Sequence, residues 1–471
     1  MNRTSSRLRH ALVPLLAALV LAGCATPAAV DPARLPATPP AFRGQQDASR
    51  VLAVTPISTE AQPQGRWWTV FADPVLDQLV EQAGRNNSSV QVAAARLAQA
   101  RAIARSTDAD RLPQVDLGAG AVRQQSSTTG NRPQTVLSVG ANLSYEVDLI
   151  GRVSLASDAA SLDVRSREAL LRSTQLLVQA NVAQTYLQLR ALDAERLLVR
   201  DTLQAYRNTL RLTEVRLREG DVAELDVARV RTEVASTESE GLALDRRRAE
   251  LEHALAVLVG DVASTFEVKP ADWSTALPVI PAGVPSTVLV RRPDVSAAQS
   301  SMQAAQARAG VAKAAWFPSF ALTAAGGYAA PEIGDLFRMS TRAWGVGALL
   351  SLPIFDGGRR EAGVQNANAG LDIALANYRE QVLVAFRDVE DQLSALRLLG
   401  EQSEAQSRSV ASASRATVLS DSRYRNGLVS QLELLDARRS ELRNRREALQ
   451  VRAARYVATV GLIRALGGGW A

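Results

Sequence analysis

The sequence predicts a mainly α chain with a small β part, built as two tandem repeats of long coiled-coil helices plus a β-hairpin. Three observations carry this. The chain resembles itself: 90–113 aligns with 295–318 at an offset of 205 residues, and Val147-Asp148-Leu149-Ile150-Gly151-Arg152 aligns with Ile354-Phe355-Asp356-Gly357-Gly358-Arg359 at 207. The same 207 pairs Arg216-Leu217-Arg218-Glu219-Gly220-Asp221-Val222 with Arg423-Tyr424-Arg425-Asn426-Gly427-Leu428-Val429. Each copy also contains a long proline-free tract, 134–269 and 354–471. Ahead of each heptad-bearing rod the apolar period changes from about 3.5 residues to 2.

Taken in order, the hairpins come first. In the first copy Val139, Ala141, Leu143 and Tyr145 alternate with Ser138, Gly140, Asn142 and Ser144, after a weaker strand through Val115, Leu117, Ala119 and Ala121. In the second, Trp344, Val346, Ala348, Leu350 and Leu352 alternate with mostly small or polar partners, after a strand over 320–329. Polar or Gly/Pro-rich turns at 125–133 and 331–341 join the strands. At about ten residues each, the strands have the length of a membrane-spanning β-strand. Four strands cannot close a transmembrane barrel, which needs about eight, and an open sheet edge cannot sit in lipid. Membrane strands of this chain must therefore share a barrel with other chains.

The long tracts read as helices, because an interior proline would cost about 3 kcal/mol and none is present. Leu371, Leu375, Tyr378, Val382, Ala385, Val389, Gln392, Leu396 and Leu399 step by four and three, as do Val199, Leu203, Tyr206, Leu210, Thr213 and Leu217. This is coiled-coil spacing. The stretch 155–219 would reach about 98 Å as a helix at 1.5 Å per residue, a rod no compact domain needs. Gly220 and Gly427 interrupt the heptads at matching places, as C-caps between paired helices.

Composition narrows the chemistry. Of 471 residues 46% are hydrophobic and 22% charged, enough to bury a sizeable core. Cys24 is the sole cysteine, which excludes a disulfide scaffold and Cys-based zinc or iron–sulfur sites. His10 and His253 are the two histidines. His253, amid Glu250, Leu251, Glu252 and Leu255, reads as an ordinary helix residue and leaves little room for a catalytic triad or an imidazole metal centre. No cofactor motif stands out, and Arg246-Arg247-Arg248 reads as a solvated helix face. The formal charge is +6, of which Arg3, Arg7 and Arg9 lie in a segment expected to be removed, leaving +3. That is no nucleic-acid footprint.

That segment is an export signal: three arginines, an apolar stretch over 11–20, then Leu21-Ala22-Gly23-Cys24. The organisation expected is a signal peptide at 1–23, a Pro/Ala-rich tether at 24–66, repeat 1 at 67–268 with its hairpin at about 114–147, a linker at 269–290, and repeat 2 at 291–471 with its hairpin at about 319–353. The end of the signal resembles bacterial lipoproteins, which implies cleavage before Cys24 and its acylation; Ala25, in place of Asp, favours the outer membrane.

The chain resembles the outer-membrane factor family, the TolC-like channels of tripartite efflux pumps, in its lipoprotein branch. The resemblance rests on Trp67-Trp68-Thr69-Val70-Phe71-Ala72-Asp73-Pro74-Val75-Leu76, Arg291-Arg292-Pro293-Asp294-Val295, Trp316-Phe317-Pro318-Ser319 and Leu466-Gly467-Gly468-Gly469-Trp470, in that order across nearly the whole mature chain. It implies a homotrimer whose twelve strands form one outer-membrane β-barrel, continued by an α-helical barrel to a closed periplasmic tip. It implies no enzymatic activity and no cofactor, with partners in a periplasmic adaptor, an inner-membrane RND-type pump and outer-membrane lipid. By resemblance, Gly220, Asp221, Val222, Gly427, Leu428 and Val429 form the adaptor-contacting tips, although Asp221 stands where an apolar residue is common. Tyr424, Leu432, Asp436 and Arg439 would form the periplasmic gate. Asp436 and Arg439 also satisfy a plainer reading, an i,i+3 surface pair worth about 0.2–0.5 kcal/mol. Two alternatives remain open at this level: the exit duct of a type I protein secretion system, and a structural periplasmic coiled-coil lipoprotein.

Replacing the only thiol tests the anchor. Cys24→Ala is expected to abolish palmitate incorporation and leave the precursor poorly processed; labelling that persists in metabolic experiments would contradict the lipoprotein reading.

Overall fold

The computed structural model describes residues 37–43, 65–125, 133–281 and 285–469. Cys24, the export signal and Trp470 lie outside the described residues. After a short 3-10 turn, Trp67–Phe71, come α1 (Pro74–Asn86), α2 (Ser88–Ala109), β1 (Gln114–Gln124), β2 (Gln134–Val147), α3 (Arg152–Arg218) and α4 (Glu224–Val259). The second copy follows with α5 (Pro285–Arg291), α6 (Pro293–Ala314), β3 (Ser319–Ala330), β4 (Arg342–Ser351), α7 (Arg359–Arg425) and α8 (Gln431–Ala465). The internal likeness is exact in register along the helices. α2 and α6 each have 22 residues and start 205 apart, and α3 and α7 each have 67 and start 207 apart. The two-residue slip between these offsets therefore falls in the hairpin regions.

One compact unit comprises Ala95–Ala169 and Ala297–Glu380. Its centre is a four-stranded antiparallel sheet in the order β1-β2-β3-β4. The register aligns the alternations seen in sequence. Leu143 lies opposite Val115 and Ala324, Tyr145 opposite Leu322, and Ala348 opposite Leu322. Directly opposed residues share a face, so Val115, Leu117, Leu143, Tyr145, Leu322, Val346 and Leu350 build one apolar face. Asp116, Asn142, Ser144, Thr323, Gly345 and Gly347 line the other. Every residue of β1 and of β4, the two edge strands, is exposed, while most of β2 is half-buried. Each hairpin leads into its rod through an aspartate. Asp148 accepts the Val153 and Ser154 amides at 3.2 and 2.8 Å at the start of α3; Asp356 accepts the Gly358 and Arg360 amides, both at 3.1 Å, at the start of α7. Burial works to raise the Asp148 carboxyl, but the Ser154 hydroxyl and the backbone donors outweigh it and hold it below the usual range. α6 lies on α3 through a Ser166–Ser301 hydroxyl pair at 2.8 Å and the Arg308–Asp163 ion pair.

The other unit comprises Ala37–Ala94, Leu170–Ser296 and Gln381–Ala471. Its core gathers Trp67, Phe71, Leu76, Tyr186, Leu255, Val389, Tyr456 and Ile463, all buried. The Trp-rich segment owes its place to Asp73. This side chain caps α1 by accepting the Val75 and Leu76 amides, and it also accepts the hydroxyls of Tyr186 at 2.8 Å and Thr275 at 3.1 Å. The Tyr186 oxygen in turn accepts from Arg190 Nε at 2.9 Å, and Arg190 donates to the Lys269 carbonyl at 2.7 Å. One carboxylate thus ties two stretches of sequence to α3. In the second copy, Arg292 has the corresponding part: it grips Asp294 at 2.7 Å and Asp388 at 3.2 Å and donates to the Ala465 carbonyl.

The heptad positions of α3 and α7 are buried or half-buried throughout. Gln392, the polar position in the α7 stripe, lies against Gly461 of α8, where a Cβ would come within 2.5 Å of the glutamine oxygen. A glycine there lets the two helices meet over an amide. The Arg246-Arg247-Arg248 run departs from its expected solvated character. Arg246 and Arg247 are exposed, but Arg248 turns inward to Asp193 at 2.8 Å and Glu252 at 2.9 Å, since helix periodicity points the third arginine to the α3 side. His253 is exposed on α4. Among the described residues no helix is long and apolar enough to cross a membrane.

The two faces of the sheet predict different tolerances. Leu143→Arg, on the apolar face, is expected to cost about 2–4 kcal/mol if that face meets mid-bilayer lipid, and Asn142→Arg, on the other face, far less. The fraction of heat-modifiable protein in outer-membrane extracts measures this; equal losses on both faces would contradict the assignment.

Candidate functional site

The two helix turns lie in the second unit and are built alike. Gly220 and Gly427 have φ of +80° and +71°. The Gly220 amide donates to the Leu217 carbonyl and the Asp221 amide to Arg216; the Gly427 amide donates to Tyr424 and the Leu428 amide to Arg423, at 2.9–3.1 Å. This paired pattern, with glycine in the left-handed position, is a Schellman motif. It satisfies the last carbonyls of α3 and α7 and reverses the chain. Gly220, Asp221, Gly427 and Leu428 are exposed, with Leu428 at 66%, whereas Val222 and Val429 are half-buried.

Above the second turn the expected gate residues do not form one cluster. Tyr424 pairs with α3, its hydroxyl accepting from Arg216 Nη1 at 2.8 Å. Leu432 is exposed, while its neighbours Gln431, Leu434 and Leu435 are buried. Asp436 and Arg439 do meet, at 3.1 Å within α8. Arg439 is bonded at the same time to Glu233 of α4, whose side chain is only 10% exposed. That bond, chiefly, pushes the Arg439 guanidinium further up from its ordinary value.

Glu233 and its surroundings were not read from sequence. One heptad further along, Arg446 of α8 bonds both Glu240 of α4 and Glu195 of α3, the latter at 2.7 Å. Burial opposes the charged form of Arg446, but the two carboxylates more than offset it and raise its pKa. α4 and α8 both run away from their turns, so Glu233 with Arg439 and Glu240 with Arg446 form a ladder with a seven-residue step. The offset between partners is 206 residues, one short of the repeat offset. Overlaying the two copies would have exposed it: acids in copy one stand beside arginines in copy two. α8 is tied to α3 as well, through Gln431 to Thr213 at 2.8 Å and Arg438 to Thr209 at 2.9 Å. Tyr206 packs with Val230 and Leu435 beneath this ladder, its hydroxyl buried without a hydrogen-bond partner among the described residues and its pKa pushed up to about 12, first by burial and then by Glu233.

Two helix pairs of equal build, joined by glycine turns and pinned by interhelical arginines, follow a sheet with two open edges. The model of the outer membrane efflux protein family matches this chain twice, over residues 79–261 and 284–468. The chain belongs to that family. It is an outer-membrane efflux channel protein and not an enzyme. Among its relatives, the solvent efflux pump outer membrane protein SrpC of Pseudomonas putida is 33% identical, over 97% of this chain and 98% of that one. The probable outer membrane lipoprotein SilC of Salmonella typhimurium is 30% identical, over 98% of each. The crystal structure of the outer membrane protein VceC from Vibrio cholerae superposes with a TM-score of 0.81 at 28% identity, covering 87% of this chain and all of that one. Within this family frame the double match falls on the two copies that the helix registers define.

The ladder predicts unequal arginines. Arg446→Ala strands Glu195 and is expected to destabilise the helical unit by about 1–3 kcal/mol, whereas Arg246→Ala removes only an exposed i,i+4 partner of Glu250 and should cost about 0.5 kcal/mol or less. Urea unfolding followed by helical circular dichroism measures both; similar midpoints would contradict the ladder's role.

Proposed function

We propose that three copies of this chain close their sheets into one twelve-stranded outer-membrane barrel and that their long helices form a periplasmic α-barrel, a passive exit duct for small molecules. The observation that carries this reading is the sheet itself: four strands, one face that is apolar through its middle and its helix-joined end, and two edge strands with no sheet partner among the described residues. Lipid tolerates no such edge, and pairing β1 of one copy with β4 of the next removes it. The small and polar second face then lines the water-filled bore. Cys24 is the acylated residue of this reading, supported by the export signal that ends on it and by the likeness to a relative named a probable outer membrane lipoprotein. Energy comes from an inner-membrane RND-type pump through a periplasmic adaptor that meets the turns at Gly220, Asp221, Val222, Gly427, Leu428 and Val429.

The resting duct is held shut near Tyr424, Leu432, Asp436 and Arg439. Arg439 is the pivotal group, because it shares its charge between Asp436 on its own helix and buried Glu233 on α4. Exposed ion pairs are worth only about 0–1 kcal/mol each, so a ring of them from three copies can be overturned by a bound partner. Asp436→Ala with Arg439→Ala is expected to raise the single-channel conductance of the reconstituted trimer while trimer formation survives. Unchanged conductance would return the pair to a plain surface contact.

A further inference from the structure

At one end of the sheet all four strands join helices, and this end carries an apolar and cationic collar. The register brings the junctions together, since Gln114 faces Ser144, Val147 faces Phe320 and Ser319 faces Ser351. Leu149 follows β2, Trp316 and Phe317 precede β3, and Ile354 and Phe355 follow β4. None is taken into the unit's interior: Ile354 is 93% and Phe355 90% exposed, and Leu149 and Trp316 are at least half exposed. The apolar sheet face runs into them through Leu350 and the exposed Leu352.

Cations stand beside these side chains. Arg360 lies over the Trp316 ring, 4.8 Å from its centre, and is held by Asp356 at 2.7 Å. Lys313, one turn before Trp316 on α6, and Arg359, next to Arg360, are exposed and have no ion-pair partner among the described residues. Of the nearby carboxylates, Asp108 pairs with Arg111 and accepts the Ser157 hydroxyl, Glu146 pairs with Arg152, and Asp148 and Asp356 cap α3 and α7.

We infer that this collar binds anionic phospholipid of the periplasmic leaflet, with Lys313 and Arg359 at the headgroup phosphate and Leu149, Ile354 and Phe355 among the acyl chains. The inference rests on the outer-membrane placement of the sheet. Continuity with the apolar face selects lipid as the occupant, and the unpaired cations select an anionic headgroup. Aromatic rings and long cationic side chains are the groups that settle at a membrane interface, with their stems in the apolar layer and their charges at the phosphates.

The test uses the full chain carrying Trp344→Phe, so that quenching of the sheet tryptophan does not mask the collar, and takes the Trp316 signal as the difference on adding Trp316→Phe. The protein is reconstituted in phosphatidylcholine vesicles containing, at equal mole fraction, either phosphatidylglycerol or phosphatidylcholine brominated near the headgroup. Quenching of Trp316 is expected to be about two-fold stronger with the brominated phosphatidylglycerol. Lys313→Gln with Arg359→Gln should erase that preference, and Lys313→Arg with Arg359→Lys should keep it. Equal quenching by both lipids in the unaltered collar, or a preference that survives the glutamine pair, would overturn the inference. Trp316 left unquenched by either lipid would assign the collar to contacts between copies of the chain and would overturn it too, while leaving the channel reading intact.

Discussion

An unpaired strand edge cannot be left in hydrocarbon, and much of this molecule follows from that constraint. β1 and β4 each present a free edge, with no further strand paired to it among the described residues. In water such an edge is an aggregation hazard that proteins cover or blunt with charge. Here the edge strands carry Val115, Leu117, Val346 and Leu350 on one face, and these suit lipid rather than water. On the proposed reading, the chain is one part of a closed ring. Duplication supplies half of the solution, because two hairpins from two copies already pair through β2 and β3 within a single chain.

The helical part solves a second problem with the same economy. A helix of 67 residues spans about 100 Å at 1.5 Å per residue and cannot be stabilised by a compact core along its length. Heptad contacts therefore do part of the work, and interhelical charge pairs add to them. Arg446 joins α8 to both α3 and α4, and Arg439 joins α8 to α4 nearer the turn. The deeper of the two has two interhelical carboxylates, while the one nearer the turn divides itself between an interhelical and an intrahelical partner.

The offsets of 205 and 207 recur in the structure as the spacings between matching helix starts, Ser88 with Pro293 and Arg152 with Arg359. The strands were legible too, since one apolar face imposes a two-residue period that no other element mimics. The glycine turns followed from backbone conformation alone. What stayed hidden depends on which helices become neighbours. Glu233 looks like any surface acid until α8 brings Arg439 to it, and Arg248 looks solvated until α3 brings Asp193. Asp73 was visible as part of a recognisable segment, but its bonds to Tyr186 and Thr275 join residues 113 and 202 positions apart. Local periodicity holds no trace of such contacts.

The central claim is that the sheet edges are closed by copies of the chain. Its most direct test is the mass of the folded, detergent-extracted particle by sedimentation equilibrium, followed as the sample is heated. The account predicts three chains per particle, with the strand signal and the trimer lost together. A monomer or dimer that keeps its strand signal would contradict it.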